Sequence, residues 1–354
     1  AAVGSPDSHG RQIDGLGSGI SSSSKMAIVG RCFDGLSDVA FRFGQVNVQC
    51  PSVDWTGTCG NISSAIGPFA IDKGLVDAEE PFTKVRILAT NTGKRFNAYV
   101  PVRGGYAEVE GDYVIDGVPA PGARIDLEYL EPGGSLGNGV LPTGEPRQDI
   151  SLSDGTQVSI SIVDAALPMV YVKASDIGAD ATLLATKLDA DFSLQTRLEE
   201  IRCHGAVLLG LAENLGEAHA IAKTVPKVAM VAPPESYETS SGVAISMESI
   251  DLLARAISMG NTHRTFPATS SICTAVAAAV VGSTVHDVSR APTTERLRIG
   301  HPAGRFEART KTLLRGGKWV AESATISRTS RRIMEGNVLV PQSYMAGNPE
   351  WFVE

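Results

Sequence analysis

Lys25-Met26-Ala27-Ile28-Val29 is a lysine followed by four apolar residues, and the pattern returns as Lys227-Val228-Ala229-Met230-Val231. Each reads as a short buried strand opening on a lysine. An apolar helix follows each copy, and then a second matched strand: Val85-Arg86-Ile87-Leu88 after the first, Leu297-Arg298-Ile299-Gly300 after the second. Arg86 follows Lys25 by 61 residues and Arg298 follows Lys227 by 71. A duplicated unit is the expectation. The copies differ upstream. Before Lys227 lie a strand, Met169-Val170-Tyr171-Val172, and a predicted helix, Leu194–Cys203, whereas only 24 loop-like residues precede Lys25. The first copy is therefore expected to lack a strand and a helix, with an N-terminal segment missing from the chain as given.

Short Val-, Ile- and Tyr-rich strands fill each half: Phe96–Val102, Ala107–Val109, Tyr113–Ile115, Arg124–Leu130 and Gln157–Ile162. Several alternate apolar and polar residues, as half-buried antiparallel strands do. Two helices, Ile62–Ile71 and Ser271–Val281, read as enclosed. The fold class expected is α+β: two similar domains, each a curled, mostly antiparallel sheet around a buried central helix. Turn-rich sequence from Pro119 to Pro146 places the boundary near residue 150, giving domains 1–150 and 151–354.

The chain has 354 residues and a net charge of −8, with no basic stripe of the kind nucleic-acid binders carry. No apolar run approaches the roughly 18–20 residues that span a bilayer. The five cysteines, Cys32, Cys50, Cys59, Cys203 and Cys273, are odd in number and lack metal-type spacing. They read as reduced thiols of a cytoplasmic protein, with no metal expected. Neither a nucleic-acid nor a membrane partner is expected, and homo-oligomerisation stays open.

Two residues stand out chemically. Cys59, in Asp54-Trp55-Thr56-Gly57-Thr58-Cys59-Gly60-Asn61, precedes a helical pattern, where orphan N–H groups and the helix dipole favour negative charge. Pro68 is expected to kink that helix. Lys25 ends Gly15-Leu16-Gly17-Ser18-Gly19-Ile20-Ser21-Ser22-Ser23-Ser24, a run rich in small donors that suits an anion and is not a Walker loop. Both residues also have plain readings, a packed cysteine and a surface lysine at a strand end. In the second half, His263 and His301 sit in turns beside glycine, the latter within Gly300-His301-Pro302-Ala303-Gly304. Anchoring a substrate competes there with a structural role. Cys273 reads as packing.

These segments together resemble the PrpF family of methylaconitate isomerases. The resemblance rests on Gly4–Asp7, Arg11–Gly19, Ser21–Lys25, Val53–Asn61, Met259-Gly260 with His263, Gly300–Gly304 and Arg331–Gly336. It implies the diaminopimelate epimerase-like fold and cofactor-independent isomerisation of unsaturated di- and tricarboxylates, with the site in the cleft between domains. It places the catalytic lysine on Lys25 and the catalytic cysteine on Cys59. Ser18, Gly19, Ser21, Ser22, Ser24, Thr56, Gly60, Asn61, His263, Gly300, His301 and Gly304 are the expected substrate-binding positions. The chain departs from the family in lacking its usual opening strand with an Arg-Gly-Gly-Thr-Ser-Lys-Gly-type turn, and in carrying Thr58 where asparagine is usual. Two rival readings are an epimerase or racemase on the same fold, which would want a second cysteine opposite Cys59, and a non-catalytic accessory protein to an iron–sulfur dehydratase.

Overall fold

The computed structural model describes residues 1–340 except 22, 56, 58, 222–224, 259 and 291–295. The chain is mostly sheet with a few helices and forms two compact units. The first comprises Ala1–Gly111, Gly122–Ile125 and the chain from Thr329 onward; the second comprises Asp112–Pro121 and Asp126–Arg328.

In the first unit the elements are β1 (Lys25–Arg31), β2 (Val39–Val46), β3 (Val53–Asp54), α1 (Gly60–Asp72), β4 (Phe82–Ala89), β5 (Lys94–Arg103) and β6 (Tyr106–Ala107). The strands run β1-β2-β4-β5, with β3 on β2 and β6 on β5. Alternation sends Val85, Ile87, Phe96, Ala98 and Val100 inward, all essentially without solvent contact. Phe41 and Phe96 meet edge to face at 6.0 Å. Helix α1 lies close to this core because Gly67 has no side chain: a Cβ there would stand 2.8 Å from Val100 and 2.9 Å from Ala98. The helix continues through Pro68 and stops at Gly74, whose φ of +64° suits only a residue free of a Cβ clash. It is not enclosed all round, since Asn61 and Phe69 are exposed.

The second unit holds β7 (Ile125–Leu130, from its second residue onward), β8 (Gln148–Ser151), β9 (Gln157–Ala165), β10 (Leu167–Lys173), α2 (Ala185–Ala190), α3 (Phe192–Leu208), α4 (Leu215–Ile221), β11 (Lys227–Ala232), β12 (Tyr237–Glu238), β13 (Ala244–Ile245), β14 (Leu252–Ser258), β15 (Asn261–Thr262), α5 (Ala268–Ala279), α6 (Thr284–Val288), β16 (Leu297–His301), β17 (Gly304–Arg315) and β18 (Lys318–Arg328). Its sheet runs β7-β18-β17-β16-β14-β11-β10-β9-β8, with β15 on β14. One face packs on α3, starting from the Asp191 cap that accepts the Leu194 N–H at 3.0 Å. The other face carries Tyr171, whose hydroxyl meets Thr274 of the almost wholly buried α5.

The boundary expected near residue 150 lies inside this second unit. The turn-rich stretch is no linker. Gly134 and Leu136 donate to the Asp164 carbonyl and carboxylate, and the Asp164 N–H donates back to Val140, which fastens the loop to β9. The expected strand Tyr113–Ile115 is absent as a strand, and Ala107–Val109 shortens to β6.

Both units repeat one pairing scheme. β1 is antiparallel to β2, β2 parallel to β4, and β4 antiparallel to β5; β11, β14, β16 and β17 pair in the same senses. Ile87 pairs with Val39 and Phe96, and Ile299 pairs with Leu252 and Phe306. The residues next to these carry the same ion pair: Arg86 with Asp38 and Arg298 with Asp251, each arginine also donating its backbone N–H to the carboxylate. In this register Lys25 pairs with Gln45, six residues after Val39, and Lys227 falls opposite Ser258, six after Leu252. The two lysines are thus structural counterparts.

The close approach of α3 to β10 gives a test of packing. A Cβ on Gly205 would lie 2.2 Å from Val170 Cγ2, on a stiff β-branched side chain in a closed core. Gly205→Ala is expected to cost about 1–3 kcal/mol by overpacking, read as a lower urea midpoint with unchanged slope.

Candidate active site

The amine of Lys25, the first residue of β1, donates to the sulfur of Cys59 at 3.5 Å. Both side chains are partly buried, and both belong to the first unit. Cys59 caps α1 with an extended backbone, φ −134° and ψ 112°, and its side chain makes no capping bond. The thiol is therefore free to meet the lysine, while the first-turn N–H groups of α1, from Gly60 and Asn61 onward, have no carbonyl one turn back. An amine, a thiol and a helix N-terminus converge on one place, which is a setting for negative charge.

The loop before Lys25 holds itself in shape. The Asp7 carboxylate accepts the backbone N–H groups of His9, Arg11 and Gln12, and these donors hold its pKa below the usual carboxylate value. Gln12, 1 % exposed, reaches across the loop: its amide nitrogen donates to the Ser24 hydroxyl at 2.7 Å and its oxygen accepts the Gly19 N–H at 3.0 Å. A Cβ on Gly17 would stand 2.4 Å from that same Gln12 oxygen. Ser24 is fully buried, and its carbonyl accepts Val46 and Gln45. Ser18 and Ser23 bond to each other, and the Ser21 carbonyl accepts Gln45. The glycines and serines thus serve first to fold the loop tightly and to aim Lys25. On the other side, Asn91 donates to the Trp55 and Phe43 carbonyls and accepts the Phe43 N–H, so it pins the segment leading to Cys59. Gln45 and Asn91 carry no motif, which is why sequence reasoning passed over them; Gln12 lies within the Arg11–Gly19 segment, but nothing in that segment marks it for this role. Ser22, Thr56 and Thr58 lie outside the described residues.

The remaining expected positions belong to the second unit. His263 follows β15, partly buried, and its N–H donates to Ala256. Burial, and then the Lys227 charge, lower its pKa to about 4. The Gly300–Gly304 turn is turned inward. Arg255 donates to the Gly300 carbonyl at 3.1 Å, and the Tyr237 hydroxyl reaches the carbonyls of His301 and Gly304. His301 is 2 % exposed; its Nδ1 accepts the Ala303 N–H, and burial followed by the Arg255 charge lowers its pKa to about 4.

Both histidines fold in the neutral form. Their folded pKa of about 4 lies below the unfolded 6.5, so the unfolded chain binds more protons between these values. Stability is expected to be full above pH 6.5 and to fall as the pH drops toward 4, by roughly 3 kcal/mol at most for each histidine. Urea unfolding from pH 7 to 4, with the imidazoles titrated by NMR, checks this.

Among the described residues, Glu199, Cys203 and His219 bring metal-type ligand atoms within 4.8 Å of one another. The Arg202 guanidinium already takes both oxygens of Glu199, so the group stands as an ion-pair network. Burial raises the Cys203 thiol to about 11 and the Cys273 thiol to about 12. No helix of the described residues is long and apolar enough to cross a membrane.

The model of the PrpF protein family matches residues 1–341. A 2-methyl-aconitate isomerase of Shewanella oneidensis is 36% identical over 347 residues, covering 96% of this chain and 87% of the relative. A 3-methylitaconate isomerase of Eubacterium barkeri is 40% identical over 342 residues, covering 96% and 88%. A 4-oxalomesaconate tautomerase of Pseudomonas putida is 32% identical over 349 residues, covering 98% and 89%. The solved structure of a methylitaconate-delta-isomerase superposes with a TM-score of 0.88 at 39% identity, covering 98% of this chain and 88% of that one.

Proposed function

Since the chain belongs to the PrpF family, we propose that it isomerises the C=C bond of an unsaturated di- or tricarboxylic acid of the 2-methylaconitate or aconitate type, by removing and returning a proton. The carrying observation is the 3.5 Å approach of the Lys25 amine to the Cys59 thiol at the start of α1. In this reading each unit is a diaminopimelate epimerase-like domain.

The reaction breaks a C–H bond at an allylic carbon and leaves a dienolate whose charge collects on a carboxylate. Lys25 takes the proton as general base. It returns that proton two carbons away for a shift of the double bond, or to the original carbon after rotation for cis–trans exchange. Cys59 faces the same carbon skeleton as acid or positioning group. The charge that builds up is met by the first N–H groups of α1 at Gly60 and Asn61, and a donor of this kind is worth on the order of 3 kcal/mol in the transition state. Ser18, Gly19, Ser21 and Ser24 act through the loop that carries Lys25.

The repeat weighs against an epimerase. Cys59 directly precedes α1, and Pro267 directly precedes α5, so the counterpart position carries no thiol. Cys273, inside α5, is buried and donates to the Val163 carbonyl.

Incubation with trans-aconitate or 2-methylaconitate in D₂O, followed by proton NMR, tests the proposal. Deuterium is expected to enter the allylic carbon as the isomer forms. Binding without exchange would support the accessory reading instead.

A further inference from the structure

We propose that Gln12 is a positioning residue for Lys25: its side-chain amide, carried on a left-handed turn, clamps Gly19 to Ser24 and so fixes the peptide from which the Lys25 amine is aimed at the reacting carbon. The role rests on the isomerase reading of Lys25; the clamp itself stands on geometry alone.

Among the described residues, Gln12, Glu131 and Ala166 have a positive φ without being glycine, and Gln12, at +51°, is the one in the first unit. A side chain is strained at such a φ, and the strain persists only where the surroundings hold it. Three bonds do so here. The Gln12 backbone N–H donates to the Asp7 carboxylate at 2.7 Å, its side-chain nitrogen donates to the Ser24 hydroxyl at 2.7 Å, and its side-chain oxygen accepts the Gly19 N–H at 3.0 Å. Glycine would take this φ without cost, but glycine has no amide to reach Ser24 and Gly19. The loop is closed down on that amide. A Cβ on Gly17 would stand 2.4 Å from the Gln12 side-chain oxygen, and one on Gly19 would stand 2.3 Å from the Gly10 carbonyl oxygen.

Ser24 transmits the hold. Its N–H donates to the Ile20 carbonyl, its own carbonyl accepts Val46 and the Gln45 side chain, and its hydroxyl meets Gln12. All of its polar groups are engaged, so the peptide that joins it to Lys25 is fixed. Lys25 then pairs with Gln45 as the first residue of β1. A lysine stem of four carbons is flexible, and the amine is placed only as well as the root of that stem. A base must stand within hydrogen-bond reach of the proton it takes, and a misplacement of about 1 Å can cost on the order of 100-fold in rate. The 3.5 Å approach to Cys59 marks where the amine is held.

The test compares Gln12→Leu, Gln12→Gly, Gln12→Glu and Ser24→Ala in the full chain. Thermal melting establishes folding, and steady-state kinetics on 2-methylaconitate or trans-aconitate separates kcat from KM. Formaldehyde bridging of the Lys25 amine to the Cys59 thiol, mapped by mass spectrometry, reports the placement of the amine without turnover. Gln12→Leu and Gln12→Gly are expected to lower kcat roughly 10–100-fold with KM little changed, and to lose most of the bridge. Gln12→Glu is expected to restore kcat to within about threefold and to bring the bridge back, because one carboxyl oxygen can accept Gly19 while the other meets the Ser24 hydroxyl. Ser24→Ala removes only the oxygen that Gln12 holds. It should fall like Gln12→Leu, the two losses should not add, and it carries the test should Gln12→Leu fail to fold. A folded Gln12→Gly with parental kcat and parental bridging overturns the proposal, since Gln12 would then serve the turn alone. A Gln12→Leu whose loss lies only in KM overturns it too, since the loop would then bind substrate and not place the base. The two readings fail separately. Parental bridging in Gln12→Gly beside an inactive Lys25→Ala removes the clamp and leaves the isomerase. Lost bridging in Gln12→Gly beside a fully active Lys25→Ala removes the lysine base and leaves the clamp.

Discussion

Lys25→Ala is expected to lower kcat/KM on an aconitate-type acid by roughly 10²–10⁴-fold, the range for losing a positioned general base. On the proposed mechanism the fall should lie mainly in kcat, because the amine acts on the reacting proton while the N-terminus of α1 is left in place. Lys25→Arg should recover little, since a guanidinium stays protonated and cannot take a proton. Cys59→Ala should also impair turnover, and the 3.5 Å contact implies that its effect will not add to that of Lys25→Ala. Steady-state kinetics of the two single variants and the double variant, with deuterium exchange as a second readout, decide the matter. A Lys25→Ala enzyme with parental turnover on every such acid would end the assignment.

The largest expected loss of stability comes from Arg255. This side chain is 0 % exposed, yet it is an arginine. It donates to the carbonyls of Leu183, Ala254 and Gly300, and its guanidinium lies 5.2 Å from the Tyr237 ring centroid. Burial lowers its pKa to about 10, which still leaves it charged at neutral pH. Arg255→Ala opens a cavity and orphans three carbonyls, so a loss of about 3–5 kcal/mol is expected. The urea midpoint measures it. The Gly300–Gly304 turn should loosen at the same time, seen as faster amide exchange at His301 and Ala303. Parental stability in this variant would mean that the buried guanidinium is replaceable and that the turn is held by Tyr237.

The repeated pairing scheme was legible because strands that open on a lysine, each followed by an apolar helix, impose the same apolar spacing twice. Arg86 and Arg298 proved to be the best marks of it, each locked to the aspartate just before the neighbouring strand. Composition misled the domain boundary. Glycine and proline between residues 131 and 146 signal turns equally well in a linker and in a loop held to a sheet, and only the bonds to Asp164 distinguish the two. The serine run shows the same dependence on structure. Small donors suggest an anion nest, and the structure adds that Ser24 and Gly19 are bound to Gln12.

The sequence by itself determined that a lysine and a cysteine each end a stretch of small residues at the mouth of a regular element, because such positions follow from local pattern and helix-start chemistry. That the amine and the sulfur stand 3.5 Å apart and that Gln12 ties Ser24 to Gly19 across the loop were decided by tertiary structure. The physical reason is one of range. Strand and helix signals are carried by residues a few positions apart, whereas the register that sets Lys25 against Gln45 and Lys227 against Ser258 depends on pairings between strands distant in the chain.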